Sequence, residues 1–354
     1  MTKQKQSSET KSPKSCKRRR RSKKGIYQVT NWPQYNEALK RRGSLDVWIA
    51  GDVFYNWDEQ LKTVNLGKLG HPFVYPASFI ELVLQLGMVF HQPLRQTEGF
   101  TQSILRLLKL PVVVPDYTTL CRRREKLQAD LKCLPKDVVA AIADSTGLKF
   151  YGEGEWKVKK HGEGKHRMWR KLHIDLDADG EIRVSLLTDN AEPDANTLLR
   201  MLVSEQAKIG DACADGAYDQ HKIYDKLIAL GLTAEQVHIP PQKNAKIWQH
   251  GNCKAPPLPR DENLRTIRKT SKGGWKQRSG YHARSLSETA MYRYKRIIGE
   301  RVHARVFVSQ QAEATIGCNV LNRMAGIGMP DGTWNGAASI SSKARALSGF
   351  GVST

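Results

Sequence analysis

Two aspartates close short apolar runs in the second half of the chain. Asp144 ends the run in Val138 to Ser145 (VVAAIADS), and Asp215 ends Asp211 to Asp215 (DACAD). Short apolar runs of this kind predict buried strands. A carboxylate at the end of a buried strand is costly unless a cation or a hydrogen-bond donor meets it. Two such sites in one sheet point to a shared divalent metal ion. Mg²⁺ takes one or two carboxylates and completes its shell with water and phosphate oxygens. Two such ions ~3.5–4 Å apart can activate an attacking oxygen and stabilise a leaving one.

A third acid lies further on. Tyr281, Arg284, Glu288 and Lys295 are separated by gaps of two, three and six residues. On a regular helix reaching back to Tyr281 they fall within an arc of roughly 60°. One acid, two cations and a phenol on one stripe do not make a core pattern. They suit a metal-bound phosphodiester, with Glu288 on the metal and Arg284 and Lys295 on phosphates.

Each feature has an ordinary reading when taken alone. A strand-end aspartate is commonly a cap or turn residue, and an Arg–Glu pair at i,i+4 is commonly a surface ion pair. The order of the three acids and the charge around them favour the chemical reading. Asp175, Asp177, Asp179, Asp189 and Asp194 read as acids of turns, caps and strand surfaces. Asp219 is set aside because Asp215, four residues earlier, ends the apolar run.

The elements that must position these residues follow from periodicity. From residue 137 the pattern reads strand, hairpin, helix, strand, helix, strand, insertion, helix. The hairpin turns at Asp179-Gly180. This is an α/β arrangement around one mixed sheet. Residues 240–280 are rich in Pro, Gly, Lys and Arg and read as an inserted loop. Within it Trp275 is a candidate for stacking on an unpaired base, or for packing the insertion onto the core.

Residues 76–134 read as helical, with Phe79, Leu82, Val83, Leu86 and Phe90 on one face and a break at Pro111 to Pro115. Asp116 caps a last helix, Tyr117 to Leu127, that carries Arg122, Arg123, Arg124 and Lys126. Its position after a helix and a turn suits a helix-turn-helix reader, or a plain basic surface helix. Residues 25–72 read as irregular, with a short strand at Val47 to Ala50. The divisions are a disordered basic arm over 1–24, a mostly helical DNA-binding region over 25–134, the α/β region over 135–330 with its insertion, and a flexible tail over 331–354.

The chain carries 57 Lys+Arg against 35 Asp+Glu, a net charge of +22. Such a field excludes an ordinary small-molecule enzyme and points to a polyanion, with nucleic acid first. Residues 1–24 alone hold eleven Lys/Arg and one Glu, a pattern for contacting phosphates or for a solvated tail. The six cysteines form no CxxC pair, and His161 and His166 lack partners at zinc-finger spacing. No signal peptide and no membrane span is read, so a cytoplasmic, nucleoid-associated protein is expected.

The run Tyr281-(2)-Arg284-(3)-Glu288-(6)-Lys295 resembles the Y-(2)-R-(3)-E-(6)-K signature of DDE transposases from bacterial insertion sequences. Its surroundings from Ser279 to Lys295 are similar to the insertion-sequence-five kind. So are Asp144 with Ser145-Thr146-Gly147, the run Asp215 to Asp219, and the segment Cys318 to Pro330. The resemblance spans about residues 65–330. It implies a ribonuclease H-like catalytic core, with Asp144, Asp215 and Glu288 as the metal-binding triad. It implies that Tyr281, Arg284 and Lys295 handle the transposon end. It further implies Mg²⁺, with Mn²⁺ substituting, and cleavage of double-stranded DNA at terminal inverted repeats. The freed 3′-OH then attacks target DNA, in a complex of at least two copies. A non-mobile nuclease or integrase of the same fold, and a catalytically silent DNA-binding regulator, stand as alternatives.

Overall fold

The computed structural model describes residues 26–49, 51–127, 129–150, 169–249 and 257–335. The basic arm, Cys16, His161, His166, Cys253 and residues 336–354 of the expected tail lie outside them.

The centre of the molecule is a mixed sheet. Its strands are β2 (Val138–Phe150), β3 (Trp169–Leu176), β4 (Ile182–Asp189), β5 (Lys208–Cys213), β6 (Val237–His238) and β7 (Arg301–Val302). The order is β4-β3-β2-β5-β6, and β7 pairs with the far end of β2. β2, β3 and β4 run antiparallel, whereas β5 and β6 are parallel to β2 and to each other. The hairpins need only tight turns. The parallel pairs need crossover helices, supplied by α7 (Asp194–Ser204) and α8 (His221–Ala229). This is the expected order of elements, and it is consistent with a ribonuclease H-like core.

Side-chain alternation along β2 divides the core in two. Ala141 and Ala143 face a cluster with Leu198, Leu202, Ile223 and Leu227 of α7 and α8. Ile142 and Leu148 face the larger cluster on the other side. There lie α11 (Ser285–Arg293) and α12 (Phe307–Ile327). Gly317 lets α12 close onto the segment after α11, since a Cβ there would come within 2.9 Å of Tyr294 Cε2.

The N-terminal helices share that larger cluster. They are α1 (Trp32–Arg41), α2 (Leu45–Trp48), α3 (Trp57–Asn65), α4 (Ala77–Val89), α5 (Leu94–Leu107) and α6 (Tyr117–Lys126). Phe79, Leu86 and Leu120 pack in one continuous core with Ile142, Leu172, Ile316 and Leu321. The helical region and the sheet are therefore joined through a common interior. Among the described residues no helix is long and apolar enough to cross a membrane.

Three expectations are corrected. Residues 25–72 are largely ordered into helices, and Val47 and Trp48 belong to α2 rather than to a strand. Trp48 is buried and its Nε1 donates to Arg42 O at 2.8 Å, a tertiary contact that local composition does not encode. The 240–280 insertion is partly helical, with α9 (Pro259–Lys269) and α10 (Lys272–Arg278). The tail begins as β8 (Gly332–Asn335), which pairs antiparallel with β1 (Ile26–Val29) and ties the two ends of the described chain together.

Candidate active site

The sheet register brings Asp144 and Asp215 into step. The last parallel pair between β2 and β5 is Ile142 with Cys213. Each aspartate lies two residues beyond that pair, on neighbouring strands spaced ~4.8 Å apart. β2 continues, and Asp144 is still paired with Ile174 of β3. The other chain leaves β5, and Asp215 caps the short turn Gly216–Tyr218, its Oδ1 accepting from Ala217 N at 2.6 Å.

Asp144 shares the strand face of Ile142, the face that α11 covers. Ser287 Oγ and Arg284 Nη2 each lie 3.4 Å from Asp144 Oδ2. Ser145 N donates to Asp144 Oδ1 at 2.8 Å. Burial raises the Asp144 carboxyl above the usual aspartate range. The Ser145 N–H and the Arg284 charge pull it back, and the negative charge of Asp215 pushes it up again.

Arg284 joins this strand pair to Glu288. Its Nη1 donates to Glu288 Oε1 at 2.6 Å, while its Nη2 reaches Asp144. Burial works against the Arg284 charge, but the charges of Asp144, Glu288 and Asp215 outweigh it and hold the guanidinium protonated. The Glu288 side chain is 58% exposed.

The single stripe expected from Tyr281 to Lys295 is not a regular helix. Tyr281–Arg284 is a 3₁₀ turn, α11 runs over Ser285–Arg293, and Tyr294–Ile298 is a π turn. A 100° step per residue therefore does not carry across the motif. Arg284 and Glu288 remain neighbours because only one turn separates them. Tyr281 is buried, with its ring 5.7 Å from that of Trp275 and Lys276 Nζ 4.8 Å above it. Burial raises its phenol above the usual range. Lys295 is half-buried and makes no ion pair among the described residues.

The donors here are all carboxylate oxygens, and two of them oppose like charges at a buried strand end. That chemistry fits a hard divalent cation. Among the described residues no three His, Cys, Asp or Glu side chains gather around one point; Glu288 instead engages Arg284.

Sequence reasoning missed the layer behind Asp144. Ser145 points to the opposite face, where its Oγ lies 3.2 Å from Asp194 Oδ2. Lys171 Nζ donates to Asp194 Oδ1 at 3.0 Å. Burial raises the Tyr218 phenol, and the charges of Asp194, Asp144 and Asp215 raise it further. Asp194 is thus a neighbour of the site and not a plain cap. Its only local signal is its place after Pro193 at the start of α7.

One other acid also differs from expectation. Asp175 is not on a strand surface but fully buried in β3, and burial raises its carboxyl well above the usual range. Asp219 is buried with Arg260, at 2.7 Å, and accepts from Gln242 N at 2.9 Å. It pins the insertion to the core.

The expected cationic face of α6 is divided. Arg123 is buried, donates to Tyr75 O at 2.9 Å and stacks 3.9 Å above the Phe73 ring. Arg124 pairs with Glu313 at 3.7 Å. Arg122 and Lys126 are exposed, and Arg122 Nη2 donates to Thr118 Oγ1 at 2.9 Å. Of the four cations only these two can meet a backbone phosphate, because the inward pair is held by the core. Trp275 is 2% exposed, and its Nε1 donates to Asn263 Oδ1 at 3.0 Å. It packs the insertion onto the core and is not placed to stack on a base.

Two family models, each described as a transposase DDE domain, match residues 40–153 and 136–323. The second spans more than half of the chain and contains Asp144, Asp215 and the whole run from Tyr281 to Lys295. The first crosses from the helical region into β2, in keeping with their common core. The chain therefore belongs to the transposase DDE domain family, whose members are nucleic-acid-cutting and joining enzymes.

Proposed function

We propose that the protein is a DNA transposase of the insertion-sequence-five kind, which cleaves its element at terminal inverted repeats and joins the freed 3′-OH to target DNA. The observation that carries this reading is the convergence of Asp144, Asp215 and the Arg284–Glu288 pair at one end of the sheet. The body around them is strongly basic.

Asp144, Asp215 and Glu288 would hold Mg²⁺, with Mn²⁺ as a substitute. When bound, the ions supply activation of the attacking oxygen and stabilisation of the leaving one. The chain's own residues do the rest. The β2–β5 register fixes the two aspartates before substrate arrives, so little reorganisation is needed at that edge. Arg284 exchanges Glu288 for a phosphate oxygen of the DNA end, which frees the carboxylate. Lys295, which makes no ion pair among the described residues, takes a neighbouring phosphate. Arg122 and Lys126 of α6 contact the duplex backbone and set its register. Two copies act together on paired ends.

The test is cleavage of a labelled duplex carrying the gene's own flanking ends, with Mg²⁺, by wild type and Glu288→Gln. Metal-dependent cuts at the ends are expected in wild type. At least a hundredfold loss is expected in the variant, with end binding retained, by about the margin that loss of a metal ligand implies. Tight end binding with no cutting by wild type would replace this reading with a silent regulator. Absence of end-specific binding would replace it with a general nuclease.

A further inference from the structure

Three elements build the layer behind Asp144. Side chains alternate along β2, so Asp144 turns towards α11 and Ser145 towards α7. Ser145 stands opposite His173 of β3, and Lys171, two residues before His173, lies on the same face. Asp194 is the first residue of α7, directly after Pro193.

These side chains are linked in series. Lys171 Nζ donates to Asp194 Oδ1 and to Glu192 O, each at 3.0 Å. Asp194 Oδ2, the other oxygen of that carboxylate, accepts from Ser145 Oγ at 3.2 Å. The Lys171 and Asp194 side chains are 25% and 28% exposed. The pair is thus partly withdrawn from water and fixed by further hydrogen bonds at both ends, unlike a mobile surface ion pair.

Ser145 carries this tether across the sheet, because its N–H donates to Asp144 Oδ1 at 2.8 Å. The last β2–β5 pair is Ile142 with Cys213, and β7 joins β2 only at Lys149. Between these points, among the described residues, β2 is laddered to β3 alone. The Asp194 contact adds a second restraint on that stretch. Asp144 Oδ2 is the oxygen that Arg284 and Ser287 approach, each at 3.4 Å. A cation that displaces Arg284 removes one of those contacts, and the closer Ser145 N–H remains to hold the carboxylate. Groups that orient a ligating side chain change metal affinity by roughly 10–100-fold when they are removed.

We propose that Ser145 is a positioning residue for Asp144, and that Asp194, anchored by Lys171, sets it from the far face of the sheet. The role rests on Asp144 ligating a divalent ion, as proposed above.

The experiment uses the full chain without DNA. Mn²⁺ binding is followed by the electron paramagnetic resonance signal of the free ion. The proteins are wild type, Asp144→Asn, Ser145→Ala, Asp194→Ala, Asp194→Asn and the double variant Ser145→Ala/Asp194→Ala. Circular dichroism melts fix a temperature at which every variant is folded, so lost stability does not enter the affinity. Asp144→Asn should abolish the binding. Ser145→Ala and Asp194→Ala should each weaken it by about tenfold. The double variant should bind no more weakly than either single one, because both cut the same link. Asp194→Asn keeps an oxygen for the Ser145 hydroxyl and should lose less than Asp194→Ala. Single variants that bind Mn²⁺ like wild type, when Asp144→Asn does not, overturn the positioning role and leave the catalytic reading standing. Losses that multiply in the double variant overturn the link between Ser145 and Asp194. Binding unaffected by Asp144→Asn overturns the catalytic reading itself, and the positioning role with it.

Discussion

Arg284 Nη1 lies 2.6 Å from Glu288 Oε1, and the other arm of the same guanidinium reaches Asp144. A cation thus already bridges two of the three acids proposed to hold a divalent ion. Guanidinium and metal compete for the same oxygens, so each weakens the other's hold. Arg284→Gln should raise the Mn²⁺ affinity of the DNA-free protein by about tenfold, one ion-pair's worth on the scale of a partly buried contact. The electron paramagnetic resonance signal of free Mn²⁺ measures this directly. DNA cleavage should fall in the same variant, because the phosphate then loses its fork. A Mn²⁺ affinity equal to or weaker than that of wild type would show that Arg284 does not compete.

The two arginines side by side on α6 should behave oppositely. Arg122 is exposed, whereas Arg123 is locked between Tyr75 O and the Phe73 ring. Arg122→Ala should leave the melting temperature within about 1 °C and weaken DNA binding, with a shallower salt slope. Arg123→Met should cost about 2 kcal/mol of stability, from a lost hydrogen bond and a lost cation–π contact. Its DNA affinity per folded molecule should be unchanged. Calorimetry and a filter-binding titration on each variant separate the outcomes, and a stable Arg123→Met with weakened DNA binding would reverse the assignment.

Trp275 gives a second contrast between packing and recognition. Its indole is buried against Tyr281 and hydrogen-bonded to Asn263. Trp275→Ala should destabilise the protein by about 3–5 kcal/mol, in the range of a large aromatic deletion from a core. The side chain should also stay shielded from acrylamide quenching when DNA is added to a variant that retains it as the main reporter. Quenching protection that appears only with DNA would indicate contact with a base.

What the sequence made legible here was periodic or local. The apolar runs ending at Asp144 and Asp215, the helices α4 to α6 with their break at Pro111 to Pro115, and the Asp179-Gly180 turn all follow from patterns within a few residues. The alternation of β2 even tells which aspartate neighbour faces which layer. The rest depends on partners distant in the chain. Trp48 folds into a helix end because α4 and Arg323 cover it. Arg123 turns inward because Phe73 and Tyr75, some 50 residues away, receive it, and charge counting treats it like Arg122. Asp194 joins the site only through Ser145 and Lys171 on two other strands. The 3₁₀ turn at Tyr281 breaks the helical phase because its ring packs into the core against Trp275, which spacing alone does not register.

His173 provides a pH prediction with a definite sign. It lies buried in β3, its Nε2 2.9 Å from Thr188 Oγ1 and its Nδ1 without a partner among the described residues. Burial pushes the imidazole down to about 4; Asp194 raises it, while Lys171 and Arg200 lower it. The unfolded chain takes up this proton near pH 6.5, and the folded chain only near 4. Between those values the unfolded state holds more protons, so stability rises with pH. The contribution is complete above about pH 6.5 and is lost as the pH falls towards 4, by on the order of 2 kcal/mol. Urea midpoints measured from pH 4 to 7 should therefore climb in wild type. His173→Asn keeps a polar group near Thr188 but cannot titrate, and it should remove that part of the slope. An identical slope in the variant would mean that the imidazole is already charged in the folded protein or that other groups carry the whole dependence.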